Sequence, residues 1–413
     1  MKTSLHLFFF CLTAVFQLSA QSSLLWESRF NGPIANDQGN VITLDAAGNI
    51  YLAGSMDTPA GTSDYLVIKY KPNGDTAWVR TYNGTANGQD EALVIKVDAG
   101  GNVYVTGKSQ GTGTGVNAVT IKYNATGVLQ WAAVYSNYNN SINIGYNLEV
   151  DVFGNVYVAA GSIPDGYAIK YSPAGQQLWT TRLFEGDYRI PYLITLNPND
   201  GHVIIATGES TQSRYYLFSL SPVTGSIVKT FNNVLFYDIT GIPNTLKLDG
   251  QGNIYITSTR GTQLSSTPIA VTTAKFTYAG GAVYNWYYTS STSSGTMNGV
   301  DMQLDKDLNI YVLVNWYAGN KFQPHYKKLD ANGQFVWGFP ENTSKGIEMT
   351  PIALNLINTS NPPELIISGN TALGDIKLMK LNASGDTLWT RTYDCGNRGT
   401  DLAAAMVLDQ CDN

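Results

Sequence analysis

The stretch Ala92–Lys108 reads ALVIKVDAGGNVYVTGK, and it decides the fold because the chain repeats it. VITLDAAGNIYLAGS begins at Val41 and LEVDVFGNVYVAAGS begins at Leu148, while weaker copies begin at Thr245 and Asp301. The Gly-Asn pairs of the three strong copies are 53 residues apart, at Gly48, Gly101 and Gly154. A fixed period of this length predicts a repeat protein in which each unit packs against its neighbours.

Each repeat divides into four strand-like segments, which we name a to d. In the second repeat they read ALVIKVD, NVYVTGK, AVTIKYN and LQWAAVY. Short runs rich in β-branched and aromatic residues, bounded by Gly, Asn, Asp and Pro, are typical of strands. Asp-x-x-Gly-Asn separates a from b, and sequences such as KPNGD at Lys71 separate c from d; both are typical of tight hairpin turns. Four-strand units of this length predict an all-β fold, a β-propeller with one repeat per blade.

The segment count favours eight blades. A lone d segment lies at 25–30, seven complete repeats follow, and a lone a segment, AAMVLD, comes near the end of the chain. We therefore expect an eight-bladed ring whose last blade is shared between the two termini and lacks two strands. This incomplete blade would indicate a truncated sequence. The alternative is a seven-bladed ring with two surplus strands.

Two residue types recur at fixed places in the repeat. Segment a ends in Asp or Asn, and a short side chain there can accept hydrogen bonds from the turn. We expect turn caps at Asp45, Asp98, Asp151, Asp249, Asp305 and Asp409. Tryptophan recurs in segment d, and large aromatic side chains there are expected to pack between blades. The set is Trp26, Trp78, Trp131, Trp179, Trp286, Trp337 and Trp389, with Val228 in the missing position and Trp316 outside the pattern.

The antiparallel order places the a–b and c–d turns on one edge of the propeller, which we call the hairpin rim. The b–c and d–a connections lie on the opposite edge, the loop rim, and their lengths vary widely. Variable loops on a fixed scaffold commonly carry binding sites. The candidate ligand-binding residues of the loop rim are the aromatic residues Trp316, Tyr317, Tyr138, Tyr188 and Tyr237 and the acidic residues Asp90 and Glu91.

These residues favour a binding module for a protein or a polysaccharide. One alternative is a carbohydrate-active hydrolase or lyase with acids at the channel mouth, which would need two converging carboxylates. A second is a structural spacer within a larger surface protein. The formal charge of −6 and the 14% of charged residues argue against a nucleic-acid partner.

Candidate residues for a metal or a cofactor are few. His202 and His325 have no motif partner in the sequence, and a metal site needs converging ligands. Asp305-Lys306-Asp307 resembles the start of a calcium loop, but the ligands that an EF-hand requires do not follow. We therefore expect no catalytic residue, no metal, no cofactor and a monomeric protein.

The N-terminus indicates a secretory signal peptide. Lys2 provides a positive charge, and 5–18 is an apolar stretch too short to span a bilayer. We expect cleavage after Ala20, a single propeller domain over 21–413, and no membrane span in the mature chain. Cys395 and Cys411 flank a predicted strand that would hold them about 20 Å apart, so we expect no disulfide between them.

The stretch 81–109 resembles the SBBP-type bacterial β-propeller repeat. The matching residues are Thr81, Tyr82, Asp90, Glu91, Asp98, Gly101, Asn102, Tyr104, Val105 and Gly107. The resemblance covers essentially all of the mature chain, strongly in the first three repeats and weakly over 184–243. It implies a secreted or cell-surface protein of a family that often bears a C-terminal sorting domain. It implies no catalytic residues.

Overall fold

A computed structural model describes most of the repeat region. The described residues are 27–28, 30, 32–33, 37–137, 141–162, 164–184, 189–209, 214–231, 242–260, 270–289, 296–318, 321–338, 348–358, 361–394 and 403–408. Their secondary structure consists of β-strands and turns, as the repeat predicts.

The strands form four-stranded antiparallel sheets, each built from four consecutive strands of the chain. Blade 1 contains β1 (Gln38–Leu44), β2 (Ile50–Asp57), β3 (Ser63–Tyr70) and β4 (Thr76–Tyr82). Blade 2 contains β5 (Glu91–Val97), β6 (Val103–Gly111), β7 (Gly115–Tyr123) and β8 (Leu129–Tyr135), with the short β9 (Ser141–Ile142) parallel to β7. Blade 3 contains β10 (Ile144–Val150), β11 (Val156–Ser162), β12 (Asp165–Tyr171) and β13 (Gln177–Phe184).

The remaining blades follow the same order. Blade 4 contains β14 (Arg189–Leu196), β15 (Val203–Glu209), β16 (Arg214–Leu220) and β17 (Ile227–Phe231). Blade 5 contains β18 (Ile242–Leu248), β19 (Ile254–Arg260), β20 (Ala270–Phe276) and β21 (Ala282–Thr289). Blade 6 contains β22 (Thr296–Leu304), β23 (Ile310–Ala318), β24 (Lys321–Leu329) and β25 (Phe335–Gly338). Blade 7 contains β26 (Thr350–Ile357), β27 (Glu364–Asn370), β28 (Ile376–Leu381) and β29 (Thr387–Tyr393).

The prediction of eight blades is wrong, because the described residues form seven four-stranded blades. The segment 403–408 lies beside β26, where the Asn355 Nδ2 donates to the Met406 carbonyl oxygen over 3.4 Å. At the other end of the chain, Phe30 packs against apolar residues of blade 1. Neither segment joins a sheet in its described part. A segment with a strand-like sequence forms a strand only if it can pair with an adjacent strand. The prediction counted strand-like segments without considering which strand each one would pair with.

The blades share one backbone geometry. The pairing of the first two strands is interrupted at the same place in all seven blades, in blade 2 between Ala92 and Val94. A β-bulge of this kind increases the local twist of the sheet. The first strand of each blade then packs beside the first strand of the next, from β1 to β26.

The core lies between blades rather than within one. In one cluster Tyr65 and Val67 of blade 1 pack with Val103 and Ile121 of blade 2, all of them fully buried or nearly so. Burial of one such apolar side chain contributes about 1.5 to 3 kcal/mol. Each blade is therefore stabilised mainly by its neighbours, as expected for a repeat protein.

One fourth-strand position, which we call the inter-blade slot, holds an aromatic residue in six of the seven described blades, and its occupants differ in two places from the prediction. In blade 1 this position is Trp78, which pairs with Lys69 of the third strand, and the equivalent residue is found in the other blades from the same strand pairing. Its other occupants are Trp131, Trp179, Lys229, Tyr284, Trp337 and Trp389. Lys229 rather than the exposed Val228 therefore fills the fourth position, and Tyr284 rather than Trp286 fills the fifth. Trp286 lies two residues beyond its slot.

Candidate functional site

The hairpin rim is held by one hydrogen-bonded unit that recurs from blade to blade. Asp98 accepts hydrogen bonds from the Gly100 and Asn102 backbone N–H groups, both at 2.9 Å, and from the Asn102 side chain at 2.8 Å. The Tyr104 hydroxyl donates a fourth bond over 2.9 Å. The same arrangement surrounds Asp45, Asp151, Asp249 and Asp305, whereas Asp409 lies outside the described residues.

The tyrosine of this unit is a partner that the sequence analysis missed, although Gly-Asn-x-Tyr recurs in the text of the repeat. Burial and the bond to Asp98 raise the pKa of Tyr104. Burial opposes ionisation of Asp98, but hydrogen bonds from Asn102, Tyr104 and Gly100 outweigh it and lower the pKa of the carboxyl group. The Lys122 ammonium lies 5.1 Å from the centre of the Tyr104 ring. The hairpin rim is therefore occupied by contacts that fix the blades.

A groove of about 350 Å³ opens on this rim between blades 2 and 3. Three carboxylates from the two blades line it, those of Asp98, Glu149 and Asp151. The two aspartates hold their turns, and Glu149 pairs with Lys96 over 2.8 Å. The carboxylates of this groove are therefore engaged in contacts within the protein, and the groove gives no support to the hydrolase alternative.

The two acidic candidates of the loop rim are engaged in contacts within the protein. Asp90 is fully buried, and its two carboxylate oxygens accept the backbone N–H groups of Gly84 at 2.5 Å and Gln110 at 2.9 Å. Glu91 pairs with Lys108 over 2.8 Å and accepts a hydrogen bond from Asn40 over 3.0 Å. Asp90 therefore fastens the connection between blades 1 and 2, and we leave both acids out of the proposed binding surface.

The aromatic candidates Trp316 and Tyr317 lie together at the loop-rim end of β23. The Trp316 ring lies 4.7 Å from that of His325 on the neighbouring strand β24. His325 in turn lies 6.1 Å from Tyr288 of blade 5, and Tyr288 stacks in parallel on Trp286 at 5.9 Å. We call Trp286, Tyr288, His325 and Trp316 the aromatic row. Trp316 thus contacts His325 directly, and Trp286 is connected to His325 only through Tyr288.

A separate pair of rings lies on the other face of the β23–β24 hairpin, because consecutive residues of a strand point to opposite faces of its sheet. Tyr317 and Phe322 face each other across the β23–β24 hairpin, with ring centres 4.6 Å apart. Phe322 is 43% exposed, and its carbonyl oxygen accepts the Met349 backbone N–H over 3.2 Å. Lys321 forms an ion pair with Glu348 beside the two rings. The loop rim of blade 6 therefore presents an apolar platform with charged groups at its border.

The histidine of the row is held in its neutral form. Burial, with a smaller contribution from the nearby Lys327 ammonium, lowers the pKa of His325 to about 4. Its Nδ1 lies 2.8 Å from the Tyr288 hydroxyl oxygen. The Lys327 ammonium lies 4.4 Å from the centre of the Tyr288 ring, where the aromatic face attracts it. These contacts hold the row in one arrangement.

The other three aromatic candidates, Tyr138, Tyr188 and Tyr237, lie outside the described residues. Among the residues that the structure does describe, no group of three or more His, Cys, Asp or Glu side chains is placed to hold a metal ion. The same part of the chain contains no helix long and apolar enough to cross a membrane.

The fold and its two rims define an all-β propeller scaffold with seven blades in the described residues. No family model matches the chain. Over 188 residues, 44% of this chain, it is 24% identical to an uncharacterized WD repeat-containing protein of Acanthamoeba polyphaga mimivirus. The chain spans only 13% of the length of that relative.

Two solved structures share the fold at very low sequence identity. A Lactobacillus plantarum protein is 10% identical, with a TM-score of 0.50 over 86% of this chain and all of its own. Hydrazine synthase of Kuenenia stuttgartiensis is 9% identical, with a TM-score of 0.53 over the same shares. Both likenesses support the propeller fold and say nothing of the chemistry of this chain.

Proposed function

We propose that the protein is a binding module that holds a polysaccharide or a protein on the loop rim of blade 6. The observation that carries the proposal is the Tyr317–Phe322 pair at the loop-rim end of blade 6, in which the Phe322 side chain is 43% exposed. Trp286 and Trp316 occupy no inter-blade slot, but both pack against the apolar cluster between blades 5 and 6, so the Tyr317–Phe322 pair is the aromatic surface left for a ligand.

The chemistry of the platform suits recognition. Aromatic rings give a large contact area and lose little conformational entropy on binding, because two torsions fix each ring. The two rings are held by the pairing of Tyr317 with Phe322 across the hairpin and by their mutual contact at 4.6 Å. Lys321 and Glu348 at the border can pair with polar groups of a ligand. A sugar ring or an extended peptide with one apolar face matches this arrangement.

The proposal includes export to the cell surface or the medium. The signal-like order of charge and apolar residues in 1–20 supports it, and so does the resemblance of 81–109 to the SBBP repeat. Mass spectrometry of the mature N-terminus tests this part. Gln21 is the expected first residue, and an intact Met1 in protein recovered from the producing cell would refute export by cleavage.

A glycan array and a protein-domain array, probed with the full mature chain, test the binding function. We expect saturable binding on one of them and its loss on Phe322→Ala, which removes the exposed ring of the platform. The control is Phe335→Ala, because Phe335 is an exposed aromatic residue of the same blade near its hairpin rim. Absence of binding on both arrays, or equal binding by Phe322→Ala and wild type, would refute the proposal.

A further inference from the structure

One side of blade 7 faces away from blade 6, and we call it the far side. The core cluster that joins blade 7 to blade 6 contains both neighbours of Ile366 on β27, so Ile366 itself points to the far side. Strand pairing places Ile366, Lys380 and Trp389 side by side across the sheet. Two residues further along, the same face carries the pair Leu378 and Arg391. Paired residues of neighbouring strands share a face, so all of these side chains belong to the far side.

Burial distinguishes the far side from the corresponding sides of the other blades. The residue that corresponds to Ile366 is at most 2% exposed in the other six blades, where it is Tyr51, Tyr104, Tyr157, Ile204, Tyr255 and Tyr311. The residue that corresponds to Leu378 is equally buried there, as Val67, Thr120, Ala168, Leu217, Thr273 and Tyr326. Ile366 and Leu378 themselves are partly exposed. These two apolar side chains therefore lack the cover that their counterparts receive from the next blade.

Blade 1 shows what covers such a side. Its fourth strand lies in the stretch 75–82, which reads DTAWVRTY. The Trp78 Nε1 donates to the Ala125 carbonyl oxygen over 3.3 Å, and the Arg80 Nε donates to that of Gly127 over 2.5 Å. Both acceptors lie in the last turn of blade 2, directly after the two strands whose apolar residues pack on blade 1. The cover is therefore a β-hairpin followed by a turn with two available carbonyl oxygens.

Blade 7 repeats the donors without these acceptors. Its stretch 386–393 reads DTLWTRTY, so Trp389 and Arg391 take the positions of the two donors of blade 1. Neither of them has an acceptor among the residues that the structure describes. The segment 403–408 lies along β26, the innermost strand, where it accepts the hydrogen bond from Asn355. The two donors belong to the outermost strand of the blade.

We infer that the far side of blade 7 is a docking surface for a β-hairpin of a partner polypeptide. The hairpin places apolar residues at alternate positions on Ile366 and Leu378, and its turn offers carbonyl oxygens to Trp389 and Arg391. Every described second and third strand of this chain is already paired within its own blade, so a second folded copy has no such hairpin to supply. The surface is separate from the loop-rim platform of blade 6 and does not depend on it.

Isothermal titration of the full mature chain with a synthetic peptide of residues 102–128 tests the surface. The peptide contains β6, β7 and the turn that accepts the two donors of blade 1, so it stands in for the partner hairpin. We expect saturable binding of one peptide per chain. Arg391→Ala should weaken it by more than about tenfold, because a hydrogen bond from a charged donor contributes about that much to affinity. The control is Leu388→Ala, because Leu388 is a 49% exposed neighbour on β29 that points to the opposite face.

Hydrogen–deuterium exchange with and without the peptide locates the bound site, and protection is expected in β28 and β29. Absence of saturable binding, equal binding by Arg391→Ala and wild type, or protection confined to other blades would overturn the docking surface. Sedimentation of the chain alone examines the other occupant. A dimer of the wild type that Arg391→Ala dissociates would assign the far side to a second copy and overturn the partner hairpin.

Discussion

The hydrogen bond between Tyr104 and Asp98 offers a measurable contribution to stability. Tyr104 is fully buried and donates to the carboxylate over 2.9 Å, so Tyr104→Phe keeps the packing and removes one bond. A hydrogen bond to a charged group contributes about 1.5 to 3 kcal/mol. Asp98 keeps three other donors in the variant, so the expected loss is near the lower end, about 1.5 kcal/mol.

Asp98→Ala should cost more, about 2 to 4 kcal/mol, because it also leaves the buried Tyr104 hydroxyl without its acceptor. The two losses should not add. In the double variant the second change removes a bond that is already broken, so a coupling energy of about 1 kcal/mol or more is expected. Urea unfolding of the four proteins, with fluorescence and circular dichroism as probes, gives the cycle.

The free energy of unfolding should also depend on pH through the Asp98 carboxylate, and the direction follows from its pKa. Folding lowers the pKa of Asp98, so the contribution of this carboxylate is present above its unfolded pKa of about 4 and is lost as the pH falls through the lower folded value. Tyr123→Phe is the control, because it removes a buried hydroxyl outside the turn. If Tyr104→Phe were as stable as wild type, or the coupling energy were zero, the turn unit would not stabilise the blade.

Three further changes probe other parts of the molecule. Trp78→Ala empties a nearly buried inter-blade slot and should lower the free energy of unfolding, measured with urea, by about 3 to 5 kcal/mol. A decrease below about 1 kcal/mol would contradict the role of the slot. Gly127→Ala should lower the melting temperature, because this residue has a φ of 79° and an added Cβ would lie 2.8 Å from the Trp78 ring; an unchanged melting temperature would refute this. His325 has a lowered folded pKa of about 4, so its burial should cost stability as the pH falls from about 6.5 to about 4, by at most about 3 kcal/mol. Unfolding free energies measured across that range should slope less for His325→Gln, and equal slopes would argue against a buried neutral histidine.

Much of the architecture could be predicted because the strands and turns of each blade are determined by the local sequence of the repeat. The strand order, the hairpin turns and the positions of the turn aspartates all depend on neighbours within about ten residues. The blade number depended on contacts between distant segments, and the terminal segments look like strands in sequence although their described parts join no sheet. The slot of blade 5 was missed for a related reason, because strand pairing rather than spacing places Tyr284 where Trp286 was expected.

The candidate sites were harder to predict than the fold. Trp316 could be singled out because it breaks the tryptophan pattern, but its contact with His325 and the contact of His325 with Tyr288 require the packing of blade 6 on blade 5. Asp90 and Glu91 look in sequence like acidic residues of an exposed loop. Only the structure shows that Asp90 accepts hydrogen bonds from the backbone N–H groups of Gly84 and Gln110. His202 finds Tyr278 from a turn of the next blade, a distance of 76 positions in sequence.

The central claim is that the hairpin rim fixes the blades and the loop rim binds. Its most direct test is the affinity of the full mature chain for an array-identified ligand, compared between two surface variants. The loop-rim variant combines Tyr317→Ala and Phe322→Ala, and the matched hairpin-rim variant is Phe153→Ala, because Phe153 is a 79% exposed aromatic residue on the first turn of blade 3. We predict that the loop-rim variant loses affinity by more than about tenfold, which corresponds to about 1.4 kcal/mol, while Phe153→Ala binds as wild type does. Loss of affinity in Phe153→Ala with full affinity in the loop-rim variant would contradict the claim.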